Sequence, residues 1–138
     1  MEGHMGDYWG IASSAIDVRA YLPEGTLMNT VADVSQPFLP IGPGTDRTGF
    51  CLRSANYESP ANEWTKLELF CHGDKSIHVV NGHVVMVLRN SRYLESGIAK
   101  PLTRGRIQLQ SEAAEVFYRD IRIRKIAALP DEYRTLFE

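Results

Sequence analysis

Apolar and polar residues alternate along most of this chain with the period of a β-strand, in which successive side chains point to opposite faces. The pattern predicts strands over 9–21 (WGIASSAIDVRAY), 48–54 (TGFCLRS), 65–71 (TKLELFC), 76–80 (SIHVV), 83–89 (HVVMVLR), 106–110 (RIQLQ) and 115–126 (EVFYRDIRIRKI). All are rich in β-branched and aromatic residues, which suit a pleated surface. The Pro/Gly-rich stretch punctuated by LPEG (22–25) and PIGPG (40–44) reads as loop with one short strand at most. The tail LPDEYRTLFE predicts a short amphipathic helix, with Pro130 at its first position and Asp131 and Glu132 in its first turn.

The middle of the chain can be registered by hand. Asn81-Gly82 is a strong signal for a two-residue hairpin turn, which pairs Val80 with His83, Val79 with Val84 and Ile77 with Met86. A three-residue loop Gly73-Asp74-Lys75 pairs Cys71 with Ile77 and gathers Leu67, Leu69, Cys71, Ile77, Val79, Val84, Met86 and Leu88 on one face, a wall of a core. The other face carries Glu68, Phe70, His78, Val80, His83, Val85 and Val87, too apolar for bare water, so the sheet is covered on both sides or lines a binding groove. Seven or more short antiparallel strands at this spacing predict an all-β sandwich. Arg119 breaks the pattern by sharing a face with Phe117, Ile121 and Ile123. An unpaired buried guanidinium is costly, so the residue pairs with a carboxylate such as Glu112 or Glu115, or reaches into a cleft.

Totals narrow the classes. The chain has 138 residues, enough for one domain to bury most of its apolar surface without staples. The opening MEGHM reads as a cloning remnant, leaving one domain over 6–138. A net charge of −2 gives no field suited to nucleic acid, and the Arg/Lys density between 104 and 125 reads as the solvated face of strands. No apolar run reaches the ~20 residues of a membrane span, and no signal peptide opens the chain. Cys51 and Cys71 match no zinc spacing and read as core thiols, with one disulfide the alternative in an exported protein. His78, His83 and Glu68 share a face but sit on diagonal positions that often fail to converge, so no metal and no cofactor are expected. Neither a Ser/His/Asp set nor a phosphate-binding glycine loop is present.

The segment NEWTKLELFCHGDKSIHVVNGHVVMVLRNSRY (62–93), followed by GRIQLQSEAAEVFYRDIRIRKI (105–126), resembles the C-terminal half of the bacterial 3-keto-disaccharide hydrolase family. Trp64, the Gly73-Asp74 turn, the Val80-Asn81-Gly82 hairpin, NSR at 90–92, LQSE at 109–112 and FYRDI fall in the family's order, and GDYWGIASSAIDV (6–18) is similar to its middle segment. The resemblance implies a concanavalin A-like jelly-roll sandwich whose concave sheet holds an oligosaccharide or 3-keto disaccharide, in a periplasmic or extracellular bacterial protein. It also implies a domain that normally begins some tens of residues earlier, so N-terminal strands and part of the site are expected to be missing and an open edge to favour self-association. Where relatives carry glycine after LQSE this chain has Ala113, and where a polar residue often follows the hairpin it has Val85.

A 3-keto group acidifies the hydrogen on carbon 2, so a base, an enolate stabiliser and a general acid suffice for elimination and hydration. Glu112 is the first acid/base candidate, Asp7 the second, and Arg119 the electrostatic stabiliser. Tyr8 and Trp9 are candidates for a stacking platform, with core packing the alternative for Trp9. Gln108, Gln110 and His78 are the candidates for sugar contacts. A non-catalytic carbohydrate-binding module is the competing function, and a purely structural sandwich a third.

Overall fold

The computed structural model describes residues 4–25, 29–111 and 115–138. Among the described residues nine strands form: β1 (Tyr8–Trp9), β2 (Ser14–Tyr21), β3 (Thr30–Ala32), β4 (Phe38–Ile41), β5 (Phe50–Leu52), β6 (Leu67–His72), β7 (Lys75–Val80), β8 (His83–Glu95) and β9 (Ile98–Pro101), followed by the short helix α1 (Asp131–Arg134) and a 3-10 turn, Thr135–Phe137. The strand order is β1-β5-β3-β2-β8-β7-β6, with β4 also on β2 and β9 on β8. All pairs are antiparallel except β3 with β5. The result is the all-β, sandwich-like architecture that the alternating pattern predicts.

The sheet curls so that one face encloses a core. Ile16, Val18 and Ala20 of β2 meet Met86 and Leu88 of β8, Ala32, Ile41 and Cys51 close the other side, and Tyr8 packs against the cluster. Cys51 is fully buried, and that burial pushes its thiol up to about 11. The opposite face is covered by the C-terminal tail: Leu129, Ile126, Tyr133, Leu136 and Phe137 pack with Ile77, Val79, Phe70 and Val84. Arg19 fastens the tail, donating from Nε to the Leu136 carbonyl (2.7 Å), from Nη1 to the Gln36 carbonyl (2.9 Å) and from Nη2 to the Glu138 carbonyl. Phe38 stacks with Phe137 under the guanidinium groups of Arg19 and Arg89.

Several elements differ from the sequence reading. The β6–β7 hairpin closes with a two-residue turn: His72 pairs with Lys75 and Phe70 with Ile77. One residue of slip moves every side chain of a strand to the other face. Leu67, Leu69 and Cys71 therefore share a face with His78 and Val80, not with Ile77 and Val79. They lie at the uncovered margin of the sheet and are exposed. The core reading thus holds for Cys51 and fails for Cys71, and both cysteines are free.

In the next hairpin Val80 faces His83 and Val79 faces Val84 as predicted, but a bulge at Val85 shifts the register so that Ile77 faces Val87. The bulge carbonyl is satisfied by the Ser54 N–H at 3.0 Å. The Pro/Gly-rich stretch holds two strands, β3 and β4, where at most one was expected; Pro40 is tolerated because β4 pairs on β2 alone. The hairpin to β9 went unread, although Ser96-Gly97, both at positive φ, forms its turn. Pro130 caps α1 from outside, one position before that predicted.

The largest departure is the arm from 105 to 124. The strands predicted at 106–110 and 115–126 are absent: among the described residues, the bond from Leu102 N–H to the Ser91 carbonyl (2.9 Å) is the last backbone pairing before Tyr133. Ile107, Leu109, Phe117, Ile121 and Ile123 stand exposed, Ile123 at 83%. An alternating sequence becomes a strand only where a neighbouring backbone offers donors and acceptors, and among the described residues no such neighbour reaches this arm.

Candidate functional site

One open groove, about 400 Å³ in volume, lies at the end of the sheet near the β7–β8 turn, lined by Tyr21, Asp33, Val34, Ser54, Tyr57 and Val84 with Ala32 and Ala55. Its walls come from the ends of β2, β3 and β8 and from the loop 53–66 that joins β5 to β6. Asn81 fixes that loop. At φ 47° it takes the left-handed conformation that the tight turn requires, with Gly82 at 82° beside it. Its Oδ1 accepts from the Lys66 N–H (2.8 Å), while its Nδ2 donates to the Tyr57 carbonyl (2.7 Å) and to Ser59 Oγ (3.1 Å). Ser59 Oγ in turn donates to the Trp64 carbonyl at 3.0 Å. A single turn amide thus positions both aromatic residues of the loop.

Tyr57 lies flat on His83, ring centroids 3.9 Å apart and planes 7° from parallel. Asp33 closes an Asx turn, accepting from the Ser35 N–H (2.8 Å) and hydroxyl (2.7 Å). Those bonds from the Ser35 hydroxyl and amide hold its carboxyl below the usual range, so it stays an anionic acceptor at neutral pH. Two aromatic side chains, a serine and a carboxylate around a shallow groove match the chemistry of a polyhydroxylated ligand: ring faces for C–H surface, polar groups for hydroxyls.

The residues singled out from sequence occupy four separate places. Asp7 is buried, accepting from the Arg53 N–H (2.9 Å) and lying 3.5 Å from its Nη1, with His4 Nδ1 at 2.8 Å. Arg53 also meets Glu58 at 3.4 Å, so Asp7 is one member of a folding network. His78 lies beside it, its Nδ1 2.8 Å from the Gly6 carbonyl, and burial pushes its pKa down. Gly6 must be glycine here: at φ 97°, an added Cβ would stand 2.6 Å from Val85 Cγ2.

Tyr8 and Trp9 do not form a joint platform, since adjacent strand residues face opposite ways. Tyr8 packs on the core, where burial raises its pKa, while Trp9 is exposed and tilted against Phe50 with centroids 4.4 Å apart. Gln108 and Gln110 lie on the exposed arm, where the strand expected to place them on one face is absent, and Gln108 Nε2 donates to Gln110 Oε1 at 3.1 Å. Around Arg119 the structure describes a carboxylate other than Glu115 and an aromatic face. The guanidinium lies over the ring of Trp64 at 4.1 Å and 3.9 Å from the Asp120 carboxylate, exposed and without an ion pair to Glu115. Glu112 and Ala113 lie outside the described residues. No cluster of three or more metal-ligating side chains occurs among the described residues, His78, His83 and Glu68 included.

The sequence reading missed Tyr21, Asp33 and Tyr57. Asp33-Val34-Ser35 carries an Asx-turn signature and Asn81-Gly82 was legible as a turn, but neither reveals that a loop from another part of the chain hangs on it.

Residues 6–124 match the family model described as the 3-keto-alpha-glucoside-1,2-lyase-like domain, so the chain belongs to that family. No curated protein and no solved structure matches it.

Proposed function

We propose that this chain binds a 3-keto disaccharide in the groove between Tyr21, Asp33 and Tyr57 and acts on its glycosidic bond. The family match over residues 6–124 carries the reading, and the groove's aromatic and acceptor groups support it. The family's name describes a 1,2-lyase. In that chemistry a base takes the proton from carbon 2, the electron pair delocalises onto the 3-keto oxygen, and it returns to form the C1–C2 double bond as the C1–O bond breaks. The departing oxygen collects a proton from a general acid, and addition of water across the new double bond would complete a net hydrolysis. Donors near the keto oxygen lower the barrier by stabilising the enolate. We assign the base to Glu112 and the docking of the sugar to Tyr57 and Asp33.

A second reading, a sugar-binding module without turnover, is favoured by one observation. Asp33 is held acidic by Ser35 and Asp7 is enclosed by Arg53 and His4, so neither is a carboxylate poised to take a proton from carbon 2. Protein and ligand NMR spectra recorded together, with a 3-keto disaccharide and its unoxidised parent, separate the two. Product signals that vanish in Glu112→Ala support the enzyme. Shifts at groove residues without product support the module. Tyr57→Ala is expected to weaken binding about tenfold, the worth of roughly one good ring contact. Absence of any shift at the groove with either sugar counts against both.

A further inference from the structure

We propose that the segment 115–124 of the arm docks on a second copy of this chain, extending its sheet at the free edge of β6, so that two copies exchange arms in a twofold dimer. The inference does not depend on the sugar reading. The family match runs to residue 124, so the arm belongs to the domain and is not an appended tail. Yet its large apolar side chains are exposed, Phe117 at 71% and Ile123 at 83%, and its described residues pair no backbone group with another. Such a segment is a strand awaiting a neighbour.

The same chain supplies what the arm lacks. β6 ends the sheet, with one side unpaired and Leu67 and Leu69 exposed along it. A strand given and an edge received reciprocally close into a twofold dimer in which each β6 is covered by its partner's arm. Charge complementarity favours a second copy as the occupant. Between 104 and 125 there are six Arg or Lys against three Asp or Glu, a formal +3, which leaves −5 for the rest of a chain whose total is −2. A basic arm is attracted to the acidic body of its neighbour, and that attraction is screened by salt.

Sedimentation of the full chain from low-micromolar to near-millimolar concentration tests this. A dimer is expected, loosened by dilution and by high salt. Ile121→Lys with Ile123→Lys should raise its dissociation constant about 100-fold while the circular dichroism stays unchanged, because both side chains are exposed in the single chain. Leu69→Lys, altering the receiving edge instead, should act in the same direction. Cys71 on β6 should react faster with a maleimide in these variants than in the parent. A parent that stays monomeric at the highest concentration, or a dimer indifferent to both changes, overturns the proposal.

Discussion

β8 and the arm are written in the same alphabet and meet opposite fates. VVMVL (84–88) lies between two layers, Val85 through Leu88 all essentially without exposure, whereas VFYRDIRI (116–123), just as rich in branched and aromatic residues, leaves its apolar side chains in water. The difference is one of neighbours. β8 has β2 on one side and β7 on the other, so each backbone group and each face finds cover. The arm has neither. Alternation specifies which face requires cover, while the cover itself comes from chain elsewhere.

Substitution at matched positions sharpens the contrast. Leu88→Ala removes a fully buried side chain and is expected to cost about 3 kcal/mol in urea unfolding, within the usual range for such cavities. Phe117→Ala, measured at a dilution that keeps copies apart, should change stability by less than about 0.5 kcal/mol despite the larger side chain. Equal losses would erase the distinction.

A smaller effect probes how the covered side is held. Arg19→Met should cost about 1–2 kcal/mol by releasing the Leu136 and Glu138 carbonyls, and hydrogen exchange in 126–138 should rise before that of β8. Uniform exchange through both segments would mean that the tail is not a separate layer.

The smallest effect is a pH slope. Burial lowers the folded pKa of His78 below its ordinary value of about 6.5, so the unfolded chain takes up a proton that the folded chain resists. Its contribution therefore leaves stability at its full value above that ordinary pKa and reduces it as pH falls through about 6.5 toward the folded value. His78→Asn keeps a donor for the Gly6 carbonyl and should flatten that part of the stability curve; an unaltered slope would assign it to another group.

How much was legible in the sequence follows the locality of each signal. The Asn81-Gly82 turn and the pairs Val80–His83 and Val79–Val84 are settled within a few residues and read correctly. The β6–β7 turn failed because Gly73-Asp74 and Gly73-Asp74-Lys75 are both reasonable turns, and the choice flips a whole strand. The bulge at Val85 exists to meet the Ser54 N–H, a partner thirty-one positions away by number that no local pattern announces. The candidate site suffered most. Asp7 drew attention beside the Tyr8-Trp9 pair and His78 on the hairpin face, yet the partners that hold them are Arg53 and the Gly6 carbonyl. Arg119 was right to demand a partner, and an aromatic face was the class of partner left unconsidered.

The loop 53–66 is tied to the sheet by backbone-directed bonds from Asn81 and Val85, while Tyr57 and Trp64, the side chains that it displays, lie outside both apolar clusters. In the proposed reading, recognition and folding thus fall to different atoms of one segment. A lineage can rewrite what this loop greets without renegotiating what holds the domain together, which makes the groove the part of the molecule freest to change its taste.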